Sequence, residues 1–270
     1  MRTLSTVECA TAALIGRALA LRPLAFVTVQ VNGVEVEALL DSGAARTQLR
    51  NRPGLIVSGC SAPGSAGASG NLMSSTRTSS VSLRLGNAEV GIVEVDVVRT
   101  DFPGHGDLIG QDVLARYRCT YRLADGVLAL DAEAPTETRS MHLDDRRHVY
   151  FDVVWDEIDG VASAVFDTGA SVTVVDQGFV HRHPRLFTAA GTSAGMDATG
   201  RSVSTPMAIM RGPRILDQTL TDALIAVVDL SRANSTVGRP MDLILGWTVL
   251  SQAAWYIDHH AARAACLPLP

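Results

Sequence analysis

Two tetrads set 126 positions apart constrain this chain more than any other feature. The first is Asp41-Ser42-Gly43-Ala44, preceded by Leu39-Leu40, and the second is Asp167-Thr168-Gly169-Ala170, preceded by Val165-Phe166. In each, an aspartate ends an apolar, strand-like run and is followed by a hydroxyl residue and a glycine. One such tetrad is an ordinary turn sequence. Two in matching contexts point to a duplicated half-site that brings two carboxylates face to face.

The surrounding pattern repeats as well. Phe26 to Val31 and Val34 to Leu39 flank Asn32-Gly33, a dipeptide that tolerates the positive φ angles of a type I′ hairpin turn. The same design is expected from Tyr150 to Phe166 around Asp159-Gly160. Downstream, Leu108-Ile109-Gly110 answers Leu243-Ile244-Leu245-Gly246. A short helical stretch follows each, Gln111 to Tyr117 and Trp247 to Ala253, and then a closing hairpin, at Asp125-Gly126 and near Asp258-His259-His260. From Asp41 to Gly110 is 69 residues and from Asp167 to Gly246 is 79, so the second copy has the longer middle section. A period of this size indicates a duplicated domain, not a solenoid.

The 270 residues suit one large domain or two small ones, and 47% apolar content is enough to bury a core in either case. A net charge of −5 with no basic stripe argues against nucleic acid as the main partner. All 23 basic residues are Arg, which excludes Schiff-base and lysine-nucleophile chemistry. Cys9, Cys60, Cys119 and Cys266 are widely spaced with no C-x-x-C, so free, mostly buried thiols are expected, not a disulfide framework or zinc site.

Four segments follow: an N-terminal element over 1–23, a first copy over 24–132, a linker over 133–147 and a second copy over 148–270. Ser5 to Glu8 reads as a capping box, Leu4, Val7, Leu14, Ile15 and Ala18 share one helical face, and Pro23 stops the run. An amphipathic helix or pro-segment is expected there, with a cytoplasmic location. Ala18-Leu19-Ala20 imitates a cleavage site, so export is the alternative. No other segment reaches transmembrane length without charge, and no membrane partner is expected. The stretch 132–147, with Pro135 and Asp144-Asp145-Arg146-Arg147, reads as a solvated linker. The Gly/Ser-rich region 58–80 and its counterpart 191–202 are candidate flaps over a cleft.

Two aspartates brought together across a pseudo-twofold axis cannot both ionise cheaply, so the pair holds one shared proton. Such a dyad can activate water as a base and protonate a carbonyl or leaving amine as an acid. The glycines permit close approach of the two loops. Ser42 and Thr168 can each donate across the boundary between the copies.

With these residues in view, the chain resembles the retropepsin-like aspartic proteases, as a fused single-chain form with the two-lobed arrangement of the pepsin-like enzymes. The resemblance covers roughly residues 24–132 and 148–268. It implies an all-β fold of two pseudo-symmetric β-barrel lobes with one active cleft between them. It makes Asp41 and Asp167 the catalytic pair and Ser42 and Thr168 the interlocking hydroxyls. Gly43, Ala44, Gly169 and Ala170 then shape the loops, with Gly110 and Gly246 packed beneath. It also implies an aspartic endopeptidase with no cofactor and no metal, acting as a monomer on a peptide or protein in the inter-lobe cleft. Two alternatives stand beside it: the same dyad running cyclisation or dehydration of a small molecule, and a non-catalytic peptide-binding module. The chain departs from the family in several ways. Neither flap candidate holds a Tyr, and Gln111-Asp112 and Trp247-Thr248 replace the Arg-containing retroviral pattern. Ala44 and Ala170 stand where a hydroxyl is common in pepsin-like enzymes. The missing donor leaves the carboxylates less stabilised as anions and predicts an optimum near roughly pH 5–6.

Other signals are weaker. Gly191-Thr192-Ser193-Ala194-Gly195 matches a nucleophile elbow, but a loop-like sequence follows where a helix is required. His181, His183, His259 and His260 lack nearby carboxylate or Cys ligands and read as surface residues. Trp155, Trp247 and Trp255 follow the strand and helix patterns, so core packing is expected.

Overall fold

The computed structural model describes residues 17–20, 25–53, 60–62, 76–102, 104–196 and 202–269. Among them the chain is mostly β, in three sheets. A seven-stranded sheet is built from the first part of the chain and a ten-stranded sheet from the second. A six-stranded sheet draws strands from both. Its centre pairs Arg118–Arg122 with Ala253–Asp258, so segments more than a hundred residues apart share one hydrogen-bond ladder.

The first hairpin forms as the sequence predicts. Strands Phe26–Val31 and Val34–Leu40 pair in register around Asn32 and Gly33, whose φ angles are +50° and +82°. Alternation along Phe26–Val31 buries Val27, Val29 and Val31 and turns Thr28 outward. The second hairpin differs from expectation. Strands Val149–Val154 and Ala162–Phe166 pair only as far as Val153 with Ala162, so an eight-residue loop spanning 154–161 replaces a two-residue turn. Val154 instead pairs with Arg214, and Trp155 turns into the core at 4% exposure with its indole N–H on the Arg211 carbonyl (2.9 Å). Burial of a tryptophan with its N–H satisfied outweighs the local turn preference of Asp159-Gly160.

Each tetrad leaves its sheet at a corresponding place. Val34–Leu40 runs parallel to Leu108–Ile109, and Ala162–Phe166 runs parallel to Leu243–Leu245. The short helices Gln111–Leu114 and Trp247–Leu250 follow at once. The closing hairpins are Arg118–Arg122 with Val127–Leu130, turning through Gly126 at φ +65°, and Ala253–Asp258 with Arg263–Pro268. Beneath the second tetrad lies an aromatic cluster. Phe166 packs edge-on against Tyr121 (5.3 Å), Phe151 (5.9 Å) and Trp255 (5.8 Å), all nearly inaccessible to water. Each of these side chains contributes about 1.5–3 kcal/mol by burial, and edge-on pairs add about 0.5–1.5 kcal/mol. Asp167 therefore follows directly on a buried aromatic cluster of the core.

Three expectations need correction. Residues Arg17–Ala20 form a strand paired with Val127–Leu130, not the end of a helix; residues 1–16 lie outside the described structure. An unpaired neighbour edge supplies four residues' worth of ladder partners, which overrides a weak helical period. The linker is not simply solvated. Arg139–Ser140 pairs with Arg263–Pro268, His142–Leu143 pairs with Val149–Val154, and Met141 is buried. Finally, His259 is buried at 4% exposure, whereas its neighbour His260 is exposed. Burial drives the His259 imidazole down to about 4, so it sits there neutral.

Trp255 is core, as expected, and Trp247 is half-buried against it. Cys119 and Cys266 are free and buried, each pushed up to about 12 by desolvation; Cys9 falls outside the described residues. No helix among the described residues is long and apolar enough to cross a membrane.

Candidate active site

The two tetrads meet. Ser42 Oγ donates to the Phe166 carbonyl (2.8 Å) and accepts from the Thr168 amide (3.0 Å). Thr168 Oγ1 donates to the Leu40 carbonyl (2.5 Å) and accepts from the Ser42 amide (3.1 Å). The four bonds are reciprocal, and both hydroxyls are almost wholly buried, at 1% and 2% exposure. Each hydroxyl donates once and accepts once, which is what makes a buried polar network tolerable. Thr168→Ala removes two of the four bonds and leaves the Ser42 amide and the Leu40 carbonyl unpaired. We expect a loss of about 2–4 kcal/mol in urea unfolding, with Thr168→Ser restoring most of it.

The hydroxyl lock forces the glycines into the opposite loop. A Cβ built on Gly43 would lie 2.5 Å from Asp167 Cγ, and one on Gly169 would lie 2.6 Å from Asp41 Cγ. Each glycine thus packs against the carboxyl of the other tetrad. Each also donates its amide to its own aspartate, Gly43 to Asp41 Oδ1 (3.0 Å) and Gly169 to Asp167 Oδ1 (2.9 Å).

A side-chain hydrogen bond joins the two carboxyls. Both residues retain an open side towards solvent, while protein surrounds the acid groups on the others. Burial raises the Asp41 carboxyl well above the usual carboxylate range, and the charge of Asp167 raises it further. Burial also raises Asp167, but the Gly169 amide, the hydrogen bond from Asp41 and the charge of His148 oppose it. The resulting state has one proton shared between two acids. The amides of Ala44 and Ala170 favour the charged forms, partly replacing the hydroxyl donor that these positions lack.

Beneath the loops the two halves match bond for bond. The Asp41 amide donates to the Ile109 carbonyl (2.9 Å), and that of Asp167 to the Leu245 carbonyl (3.0 Å). Gly110 and Gly246 leave no room for a side chain: a Cβ would sit 2.6 Å from the Arg46 backbone in one case and 2.5 Å from the Val172 carbonyl in the other. The amides of Gln111 and Trp247 donate to the Ala44 and Ala170 carbonyls, both at 2.8 Å. Two further residues belong here that the sequence reading passed over. Thr47 Oγ1 accepts from the Gly110 amide (3.1 Å), and Thr173 Oγ1 accepts from the Gly246 amide (3.0 Å). Both are fully buried. The signal was present, since each Thr stands six residues after its aspartate. Departures from the retroviral pattern fill related roles: Asp112 Oδ1 accepts from the Thr47 amide and hydroxyl, Thr248 Oγ1 accepts from the Thr173 amide, and Gln111 Nε2 holds the Ser42 carbonyl.

Residues 27–113 match the aspartyl protease family. The matched segment is of the retropepsin-like kind and includes Asp41, its loop and Gly110, so a protease-type hydrolase is the general activity it supports. The second tetrad lies beyond the aspartyl protease match, and its place rests on the geometry above. No curated protein matches the chain.

Among the described residues, no group of three or more His, Cys, Asp or Glu is placed to hold a metal ion. Ser193 lies within the exposed strand Phe187–Met196, paired with the strand Ser202–Met210, and among the described residues no helix follows it as an elbow requires. The candidate flap 191–202 falls partly on that long hairpin, bent at a bulge near Gly191 (φ +89°); residues 197–201 and most of 58–80 lie outside the described residues.

Proposed function

We propose that this chain is an aspartic endopeptidase of two duplicated lobes, with Asp41 and Asp167 as its catalytic pair. The observation that carries the reading is two facing carboxyls, Asp41 and Asp167, on loops pinned together by four reciprocal hydrogen bonds across the tetrads. A water held between the acids gives a proton to Asp167 as its oxygen attacks the scissile carbonyl carbon. Asp41 gives its proton to the carbonyl oxygen, forming a neutral gem-diol. Asp41 then takes a proton back from one diol hydroxyl as the C–N bond breaks, and Asp167 passes its proton to the leaving nitrogen. Amine and acid leave with the dyad restored. Both acids reside in one chain, so a monomer suffices. The substrate class is an extended peptide or protein segment in the cleft between the lobes.

Digestion of a complex peptide library across pH 4 to 7, wild type against Asp167→Asn, tests the reading. Cleavage by wild type alone supports it and gives the subsite preferences. Cleavage by neither folded protein removes general endopeptidase activity, and equal cleavage removes the dyad assignment.

The pH dependence follows from the two shifts. Activity needs Asp167 ionised and Asp41 protonated, so it lies between the two ionisations of the pair. Burial raises both acids, which moves the window upward from the ordinary carboxylate range. We expect a bell-shaped kcat/KM profile centred near roughly pH 5–6. An optimum well below pH 4 contradicts it.

A further inference from the structure

The two halves supply their aspartates with near-identical surroundings, yet the pair must place one proton on one acid. The difference lies at the start of strand Val149–Val154. Its register pairs Tyr150 with Val165, which sets His148, just before the strand, opposite Asp167, just after the partner strand. His148 is only 7% exposed. Its Nδ1 lies 2.8 Å from Asp144 Oδ2, and its amide donates to Asp144 Oδ1 (2.8 Å). Asp144 also accepts from the Arg146 amide (2.9 Å), so the carboxylate is buried and fixed on both oxygens. The far ring nitrogen, Nε2, is buried without a hydrogen-bond partner. A buried unpartnered ring nitrogen is costly unless it serves something. In the first copy the equivalent strand is preceded in sequence by Leu24 and Ala25, neither of which can carry charge.

We propose that His148, clamped by Asp144, is a positioning residue that breaks the symmetry of the pair, keeping the negative charge on Asp167 and the proton on Asp41. The inference deepens the protease reading and rests on it for its catalytic meaning. An imidazole held against Asp144 and set opposite one of two otherwise equivalent carboxylates favours the anion there, and the coulombic pull of His148 lowers Asp167. The other ionisable groups around this cluster are Asp144, which pairs with the ring, and Tyr150, whose phenol is raised by burial and by the charge of Asp144; Arg146 and Arg239 lie near Tyr150. His259, over the neighbouring Arg147, is neutral. None of these takes the place of His148 at Asp167. The consequence is a division of labour set in advance: Asp167 is the base towards water and Asp41 the acid towards the carbonyl.

The test is carboxyl-carbon NMR titration of the full chain, with the two signals assigned from Asp41→Asn and Asp167→Asn, in wild type and His148→Gln. Loss of the imidazole is expected to raise the Asp167 midpoint by roughly half to one pH unit. The acid limb of kcat/KM should move up by the same amount, with KM unchanged, and His148→Arg should move it back. A purely structural histidine would lower stability and leave both the midpoint and the limb where they were, and that result overturns the proposal. Should His148→Gln fail to fold, the ring-nitrogen signals of His148 in the wild type decide: a displacement through the pH step of Asp167 supports the coupling, and its absence overturns it. If the wild type cleaves no peptide but the Asp167 midpoint moves, the protease reading fails and the positioning role stands.

Discussion

On the protease reading, Asp41→Asn and Asp167→Asn are each expected to lower peptide cleavage by about 1,000- to 10,000-fold while leaving the protein folded, and Asp41→Asn is expected to be more stable than wild type at neutral pH. Asparagine keeps the shape of the acid and the acceptor oxygen for the Gly43 amide. It removes the proton that the pair must pass to the carbonyl oxygen. The double variant should be little worse than either single one, since two groups that share one proton act as a unit. The stability effect has a definite sign. The folded-state value of Asp41 lies above its unfolded value, so the folded protein holds a proton that the unfolded chain has already lost. Stability is then greatest below the ordinary carboxylate range and falls as pH rises towards the folded-state value. Asparagine carries no such penalty. The melting temperatures of variant and wild type should therefore converge near pH 3–4 and separate as pH increases. Thermal unfolding at several pH values measures this, and a gap that shrinks with rising pH refutes it.

Gly43→Ala is expected to cost at least about 100-fold in kcat/KM, although it adds a single methyl group. That methyl would lie 2.5 Å from Asp167 Cγ and 2.6 and 2.7 Å from its oxygens. The carboxyl cannot swing aside, because the Gly169 amide and the bond to Asp41 hold it. The loops must part by a few tenths of an ångström or more, against the four bonds of Ser42 and Thr168. Displacements of that order spoil a shared proton and a bound water. Gly169→Ala should behave alike, because its Cβ meets Asp41 at 2.6 Å. Gly33→Ala is the contrast. Nothing lies within 4 Å of its Cβ, but φ is +82°, so it should lose about 1–2 kcal/mol of stability and no catalytic efficiency. Steady-state kinetics beside urea unfolding on the three variants separates close approach from backbone strain. Equal activity in Gly43→Ala and Gly33→Ala would mean the loops are not packed as described.

Much of this site was legible before any coordinates. The tetrads, the two Gly elements and the first hairpin are written in contiguous residues whose chemistry acts locally. Asn32-Gly33 turns because those two residues tolerate positive φ, whatever surrounds them. Thr47 and Thr173 could have been read from their common offset but were not, because a threonine in a strand-like run carries no turn or charge signal of its own. The burial of His259 is hidden from the sequence for a related reason. An adjacent histidine pair at a hairpin reads as exposed, and only the packing of the turn on Arg147 buries one ring and spares the other.

By itself the sequence determined the half-site and its repetition: two acids ending apolar strands, each with a hydroxyl, a glycine and a later glycine in place. The tertiary structure alone decided how the halves address one another. It set the crossing of Ser42 with Thr168, the strand at Arg17–Ala20, the failure of Asp159-Gly160 to make a tight turn, and the placement of His148 opposite only one of two equivalent acids. Those outcomes rest on backbone ladders and buried contacts between residues tens to more than a hundred positions apart. No local propensity encodes them, because each one depends on which distant edge or cavity is left for the segment to fill.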